Sequence, residues 1–227
     1  QMCIRDRYRT MEKKTSNFSG QLGFDVMNEL AKRGHEGIGS DILAEVTSID
    51  APYVQMDITD GDAVSKNIKE IKPDAVIHCA AWTAVDAAED EDKQEKVFAI
   101  NSTGTENIAK VCKEIDVPMM YISTDYVFDG QGEKPWEPDC KDYKPLNVYG
   151  QTKLDGELAV SGTVDKFFIV RIAWVFGKNG KNFIKTMINL GKTHDTLSVV
   201  NDQIGTPTYT YDLSLIHISE PTRRRGI

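Results

Sequence analysis

With 227 residues, 40% of them apolar, the chain can bury one large core and part of a second. That apolar fraction is too low for a membrane protein, and no apolar run approaches the roughly 20 residues needed to cross a bilayer. A net charge of −8 argues against a nucleic-acid partner, because phosphate recognition needs a basic surface. A soluble globular protein that binds small molecules remains.

The first segment, Gln1–Arg7 (QMCIRDR), is polar, leads into nothing periodic and lacks the long apolar stretch of a signal peptide. It and the last segment, Leu215–Ile227 (LIHISEPTRRRGI), resemble translated sequencing-adapter read-through. Residues 1–14 and 214–227 are therefore expected to lie outside the fold, with the natural sequence continuing past about Leu213. Met11–Ser16 (MEKKTS) occupies the place of a first buried strand but is too polar for one, and reads as a corrupted strand.

Apolar residues at helical spacing predict a helix over Leu22–Arg33, stopped by Gly34. Gly37–Asp41 is a weak strand and Tyr53–Met56 a better one. Asp60–Ile71 reads as a helix ending before Pro73. Ala75–Ala80 (AVIHCA) is a short continuous apolar run, as expected for a strand covered on both faces. Val85–Ile100 and Thr103–Asp116 read as helices, Met119–Ser123 as a buried strand, and Asp129–Lys144 as a long loop. Asn147–Val160 reads as helix, Phe167–Ile172 as strand, Asn182–Leu190 as helix and Leu197–Val200 as a last strand. Strands alternating with helices predict an α/β fold: a doubly wound parallel sheet with helices on both faces. The expected division is a dinucleotide-binding domain over 15–170 and the start of a substrate-binding lobe over 171–213. The four cysteines, Cys3, Cys79, Cys112 and Cys140, form no CxxC pair and no metal-ligand spacing, and read as reduced thiols of a cytoplasmic protein.

Gly20-Gln21-Leu22-Gly23 stands directly before the first long helix. Two glycines let the backbone turn tightly against a pyrophosphate, and the helix start offers free N–H groups and partial positive charge. A dinucleotide fold expects an earlier glycine where Asn17 stands. Asp41 follows at the end of the second candidate strand, placed to accept from an adenosine ribose 2′-hydroxyl, and no Arg follows it to hold a 2′-phosphate. Asp57, ending the next strand, could meet the adenine edge.

Tyr149-Gly150-Gln151-Thr152-Lys153 carries the strongest chemical signal. Four residues apart, Tyr149 and Lys153 share one helix face. A phenol that must protonate a developing alkoxide titrates near pH 10 unless something lowers it, and a neighbouring ammonium would do so. Ser123 and Thr124 end a buried strand, where either hydroxyl could hold a substrate carbonyl. Ala80-Ala81-Trp82-Thr83 ends another strand, its small residues permitting close approach of a cofactor.

GQLG at 20–23, AAWTAVDAAE at 80–89, AINSTGTENIA at 99–109, YISTDYVFDG at 121–130, PLNVYGQTKLDGE at 145–157, RIAWVFGKNGKNF at 171–183 and NDQIGTPT at 201–208 resemble the dTDP-4-dehydrorhamnose reductase family of extended short-chain dehydrogenases/reductases. The resemblance implies reduction of the C4 ketone of dTDP-4-dehydro-6-deoxy-L-mannose by NADPH or NADH, giving dTDP-L-rhamnose. It makes Tyr149 the acid, Lys153 its modulator and ribose contact, and Thr124 the carbonyl donor. Gly20, Gln21, Leu22 and Gly23 would meet the pyrophosphate; Asp41, Asp57, Ile58, Ala80, Ala81, Thr83 and Asn101 would line the cofactor. Val85, Asp86, Trp174, Asn182 and the Gln203–Pro207 turn would stand near the sugar nucleotide, although Trp174 reads equally as core. A homodimer and an association with Mg2+ also follow from the resemblance alone. Similar motifs occur in the non-catalytic β subunit of methionine adenosyltransferase and in sugar-nucleotide epimerases and dehydratases. A dehydratase would want acids beside the strand-end threonine, where Asp125 stands.

Overall fold

The computed structural model describes residues 2–6 (backbone only), 20–44, 51–132 and 134–215. In chain order these form β1 (Met2–Asp6), α1 (Gln21–Lys32), β2 (Glu36–Asp41), β3 (Tyr53–Gln55), α2 (Gly61–Ile71), β4 (Ala75–His78), α3 (Glu91–Phe98), α4 (Gly104–Glu114), β5 (Met119–Thr124), α5 (Val148–Thr163), β6 (Phe167–Phe176), α6 (Phe183–Leu190), β7 (Pro207–Tyr209) and α7 (Thr210–Ser214). Polar side chains start several helices where the sequence changes period. Asp60 accepts from the backbone N–H groups of Asp62 and Ala63, Asn147 from Gly150, and Asn182 from Lys185. Gly34 closes α1 at a φ of 72°, a conformation that favours glycine.

The described strands form one sheet in the order β3-β2-β1-β4-β5-β6-β7. The pairs β2–β3, β4–β5, β5–β6 and β6–β7 are parallel. Alternation along the strands sends side chains to two cores. On one face Val76, Met119 and Tyr121 pack with Ile68 of α2, Ile108 and Cys112 of α4, and Val160 of α5. On the other, Ile77, Met120 and Ile122 meet Val26, Met27 and Leu30 of α1 and Leu213 of α7. Helices thus cover both faces, as the alternating pattern predicts.

Three expectations fail. Met2–Asp6, set aside as foreign, is a central strand, antiparallel to both β2 and β4. Three apolar residues are too few to show a period; the backbone groups that β2 and β4 turn toward each other supply the pairing. The predicted break near residues 101–102 is absent. A short 3-10 turn at Asp86–Ala88 precedes α3, and a π turn at Ala99–Thr103 then joins α3 to α4 without interruption. Leu197–Val200 forms no strand: Leu197, Val199 and Val200 are exposed, and the last strand is β7. The Met11–Ser16 segment, the glycine-less position Asn17 and residues 216–227 lie outside the described residues.

Candidate active site

The ends of β2, β4, β5 and β6 and the starts of α1 and α5 surround a cleft of about 720 Å3. Its lining brings together Gly20, Gln21, Leu22, Asp41, Asp57, Ile58, Ala80, Ala81, Thr83, Val85, Thr124, Tyr149, Lys153 and Trp174. Ligands of open parallel sheets sit in such crevices beyond the carboxyl ends of strands. Across the cleft mouth, the loop after β6 closes on the start of α1. Asn179 donates to the Gly20 carbonyl at 3.3 Å, and Asn182 donates to Gln21 Oε1 at 3.0 Å.

Four predicted contacts take other places. Gly23 is buried inside α1. Asp86 is exposed on the turn beside Val85. Asn182 caps α6 and borders a neighbouring depression. Asn101 is fully buried, because the π turn directs its amide inward. Its Oδ1 accepts from Trp82 N–H at 2.8 Å, while its Nδ2 donates to the Trp82 carbonyl at 3.3 Å and to Thr152 Oγ1 at 3.1 Å. Asn101 therefore fixes the Ala81–Thr83 turn to α5 from behind.

Helix α5 can start where it does because Gly150 lacks a side chain: a Cβ there would stand 2.3 Å from the Tyr126 carbonyl oxygen. The close approach sets Tyr149 beside the Thr124 hydroxyl, whose hydrogen bond favours the phenolate. The two rings Tyr126 and Tyr149 meet edge to face, 5.7 Å apart. Thr124 Oγ1 donates to Asp125 Oδ1 at 3.1 Å and accepts from Tyr126 N–H at 3.3 Å. Desolvation holds the Asp125 carboxyl above its ordinary range.

Lys153 faces the same cleft from one turn further along, almost fully buried. Its ammonium donates to the Ile122 carbonyl at 2.7 Å and lies 4.1 Å from the centre of the Tyr121 ring. Burial brings its pKa down to about 7, against upward influences from Glu157 and then Cys79. The expected lowering of the Tyr149 pKa by this ammonium is not seen. Burial dominates and pushes the phenol up to about 12, because Lys153 is engaged by Ile122 and Tyr121 instead.

The lysine makes stability depend on pH. Its folded pKa is depressed, so between pH 7 and its ordinary 10.5 the unfolded chain binds more protons than the folded one. Stability therefore rises with pH through that window. Cys112, pushed up to about 12 by burial, acts in the opposite sense only above its ordinary 9.0. Thermal melts from pH 7 to 9 should show Tm rising by roughly 5 °C. Lys153→Met should flatten the rise; an equal slope in that variant would show that another group is responsible.

Trp174 is not core. It sits at a bulge in the β6–β7 pairing with a φ of 46°, 46% exposed, and lines the cleft. A left-handed tryptophan is strained, and such strain collects at functional sites. The Gly205 backbone lies against the indole, where a Cβ would come within 2.9 Å of the ring. Sequence reasoning missed Ser40, Tyr126 and Lys181 as cleft residues. Ser40 directly precedes Asp41 at a strand end, which was a usable signal; Lys181 reaches the cleft only through the fold of its loop.

Among the described residues no group of three or more His, Cys, Asp or Glu side chains could hold a metal ion, and no helix is long and apolar enough to cross a membrane. A family model described as the RmlD substrate binding domain matches residues 18–223. The chain belongs to the dTDP-4-dehydrorhamnose reductase family. Its relatives include the dTDP-4-dehydrorhamnose reductase of Streptomyces griseus, 41% identical over 86% of this chain and 60% of the relative. The crystal structure of a dTDP-4-dehydrorhamnose reductase from Clostridium acetobutylicum is 40% identical, covering 88% of this chain and 66% of that one, with a TM-score of 0.75. A dTDP-4-dehydrorhamnose reductase from Bacillus anthracis, solved in complex with NADP, is 36% identical over 88% of this chain and 66% of that one, with a TM-score of 0.73. The reductase-family chain spans about 60% of the length of the curated relatives it matches.

Proposed function

We propose that this chain carries the catalytic cleft of an NAD(P)H-dependent reductase acting on the C4 ketone of dTDP-4-dehydro-6-deoxy-L-mannose in the cytoplasm. The observation that carries the reading is the meeting of Thr124, Tyr149 and Lys153 on one cleft, with the phenol beside the threonine hydroxyl. The cleft fits a reduced dinucleotide. It joins a helix start at Gly20–Gln21 with a carboxylate, Asp41, at the end of β2, and it contains two buried hydroxyls without partners among the described residues, Ser40 and Ser123. Gly20, Gln21 and Leu22 would hold the pyrophosphate, Asp41 the adenosine ribose, Ala80, Ala81 and Thr83 the middle, and Lys153 the nicotinamide ribose. When bound, the cofactor supplies two electrons and one hydrogen to the ketone carbon.

The protein's own groups manage the oxygen and its proton. Thr124 turns its hydroxyl proton from Asp125 to the ketone oxygen and orients the carbonyl. Tyr149, kept protonated by burial, gives its phenolic proton to the oxygen as the C–O double bond becomes single, so the product is an alcohol. Lys153, held by the Ile122 carbonyl and the Tyr121 ring, serves the cofactor ribose rather than the phenol. Val85 and Trp174 wall the sugar. Tests follow NADPH or NADH oxidation at 340 nm with the full chain. Oxidation only when the 4-keto-deoxysugar nucleotide is added supports the reading; ketone-independent oxidation, or none with cofactor bound, refutes it.

A further inference from the structure

Three buried side-chain atoms among the described residues have no hydrogen-bond partner: Ser40 Oγ, His78 Nδ1 and Ser123 Oγ. His78 is away from the cleft lining. Its Nε2 lies 3.0 Å from Thr105 Oγ1, and that hydroxyl spends its proton on the Asn101 carbonyl at 2.7 Å. His78 Nε2 must then donate, and Nδ1 keeps a bare lone pair in the interior. Ser123 differs: it is 2% exposed and lines the cleft. The next hydroxyl, Thr124, already has partners: it donates to Asp125, accepts from Tyr126 N–H and stands in hydrogen-bond contact with Tyr149. Ser123 keeps both a proton and two lone pairs to offer. A buried hydroxyl left this way costs stability, and its persistence calls for an explanation.

Position says which ligand it meets. Residues two apart on a strand share a face, so Ser123 stands on the side of β5 that carries Tyr121. The Lys153 ammonium lies over that ring. Thr124, on the alternate face, is the residue beside Tyr149. The two hydroxyls therefore divide the work. We propose that Ser123 anchors the nicotinamide end of the reduced dinucleotide through its hydroxyl, leaving the ketone to Thr124. The inference rests on the reductase reading of the cleft.

The test uses Ser123→Ala in the full chain, with signs that separate a ligand role from a structural one. Without nucleotide, Tm should stay level or rise, since an unpaired buried hydroxyl has been removed. Affinity for NADPH, read from its fluorescence, should fall about five- to tenfold. The KM for the ketone at saturating NADPH should not change. A lower Tm or a variant that does not fold would assign Ser123 a structural role and overturn the proposal. So would NADPH binding as tight as in the wild type; if the wild type then still turns over ketone, only this inference falls. A wild type that binds no reduced dinucleotide removes both.

Discussion

Tyr149→Phe is expected to cut kcat by about a thousandfold while leaving NADPH affinity within about twofold. The ring stays: it packs with Ala88 and Val97 and meets Tyr126 edge to face, none of which needs the hydroxyl. What goes is the phenolic proton beside Thr124. The phenol is held up at about 12, so it is protonated throughout the neutral range and the loss should be nearly independent of pH between 6 and 9. Stopped-flow measurement of NADPH oxidation, beside a fluorescence titration of NADPH binding, separates the chemistry from the binding. Turnover above a tenth of wild type would remove Tyr149 from the acid role.

The largest expected loss of stability comes from Glu157→Gln. Glu157 is 1% exposed, and its carboxylate accepts from Arg171 Nε at 2.9 Å and Nη2 at 2.7 Å. Arg171 Nη2 also donates to Tyr143 OH at 3.1 Å, and the guanidinium lies against the Phe128 ring, 5.1 Å from its centre. Phe128 in turn stacks on Trp136 at 4.5 Å. One carboxylate thus holds the cation that pins the long loop after Thr124. Removing one charge of such a pair costs about 3 kcal/mol, or roughly 6–12 °C in Tm. The same change withdraws the main influence that raises the Lys153 pKa, so the lysine should lose its proton at lower pH and NADPH binding should weaken earlier on the alkaline side. Thermal melts and NADPH titrations across pH report the two effects separately. In the double variant Glu157→Gln/Arg171→Met, stability should return most of the way; a pair whose double variant is as unstable as the single one does not act as described.

The sequence made the architecture legible wherever a run of residues kept one period. Residues 75–77 and 119–122 are continuous apolar runs, and both lie in strands covered on two faces. Asp60, Asn147 and Asn182 mark helix starts by residue type alone. The meeting of Tyr149, Lys153 and Thr124 on one cleft was legible from a helical spacing and a strand end. Illegible features depend on partners distant in the chain. Met2–Asp6 is a strand through its neighbours, and the continuity of α3 into α4 comes from Asn101 reaching both Trp82 and Thr152. The height of the Tyr149 pKa was misread because spacing places two side chains on one face without saying where each head group is held. Lys153 lies four residues away, yet its nitrogen is bound to a carbonyl of β5. Gly156 shows the same limit: a Cβ there would stand 2.3 Å from the Tyr121 hydroxyl, a conflict visible only once the strand lies beneath the helix.

The wide turn at Ala99–Thr103 sets the rotational phase of everything after it. Winding the same residues as a regular α-helix would swing each later side chain by about 100°. Ile108, Ala109 and Cys112, all at 0% exposure, would leave the interior together. The irregularity is thus locked from both ends, by the amide of Asn101 at its own position and by the apolar seam of α4 downstream. A further single-residue insertion across this stretch is excluded for as long as that seam stays buried, whereas a deletion that removes the wide turn keeps the seam in phase.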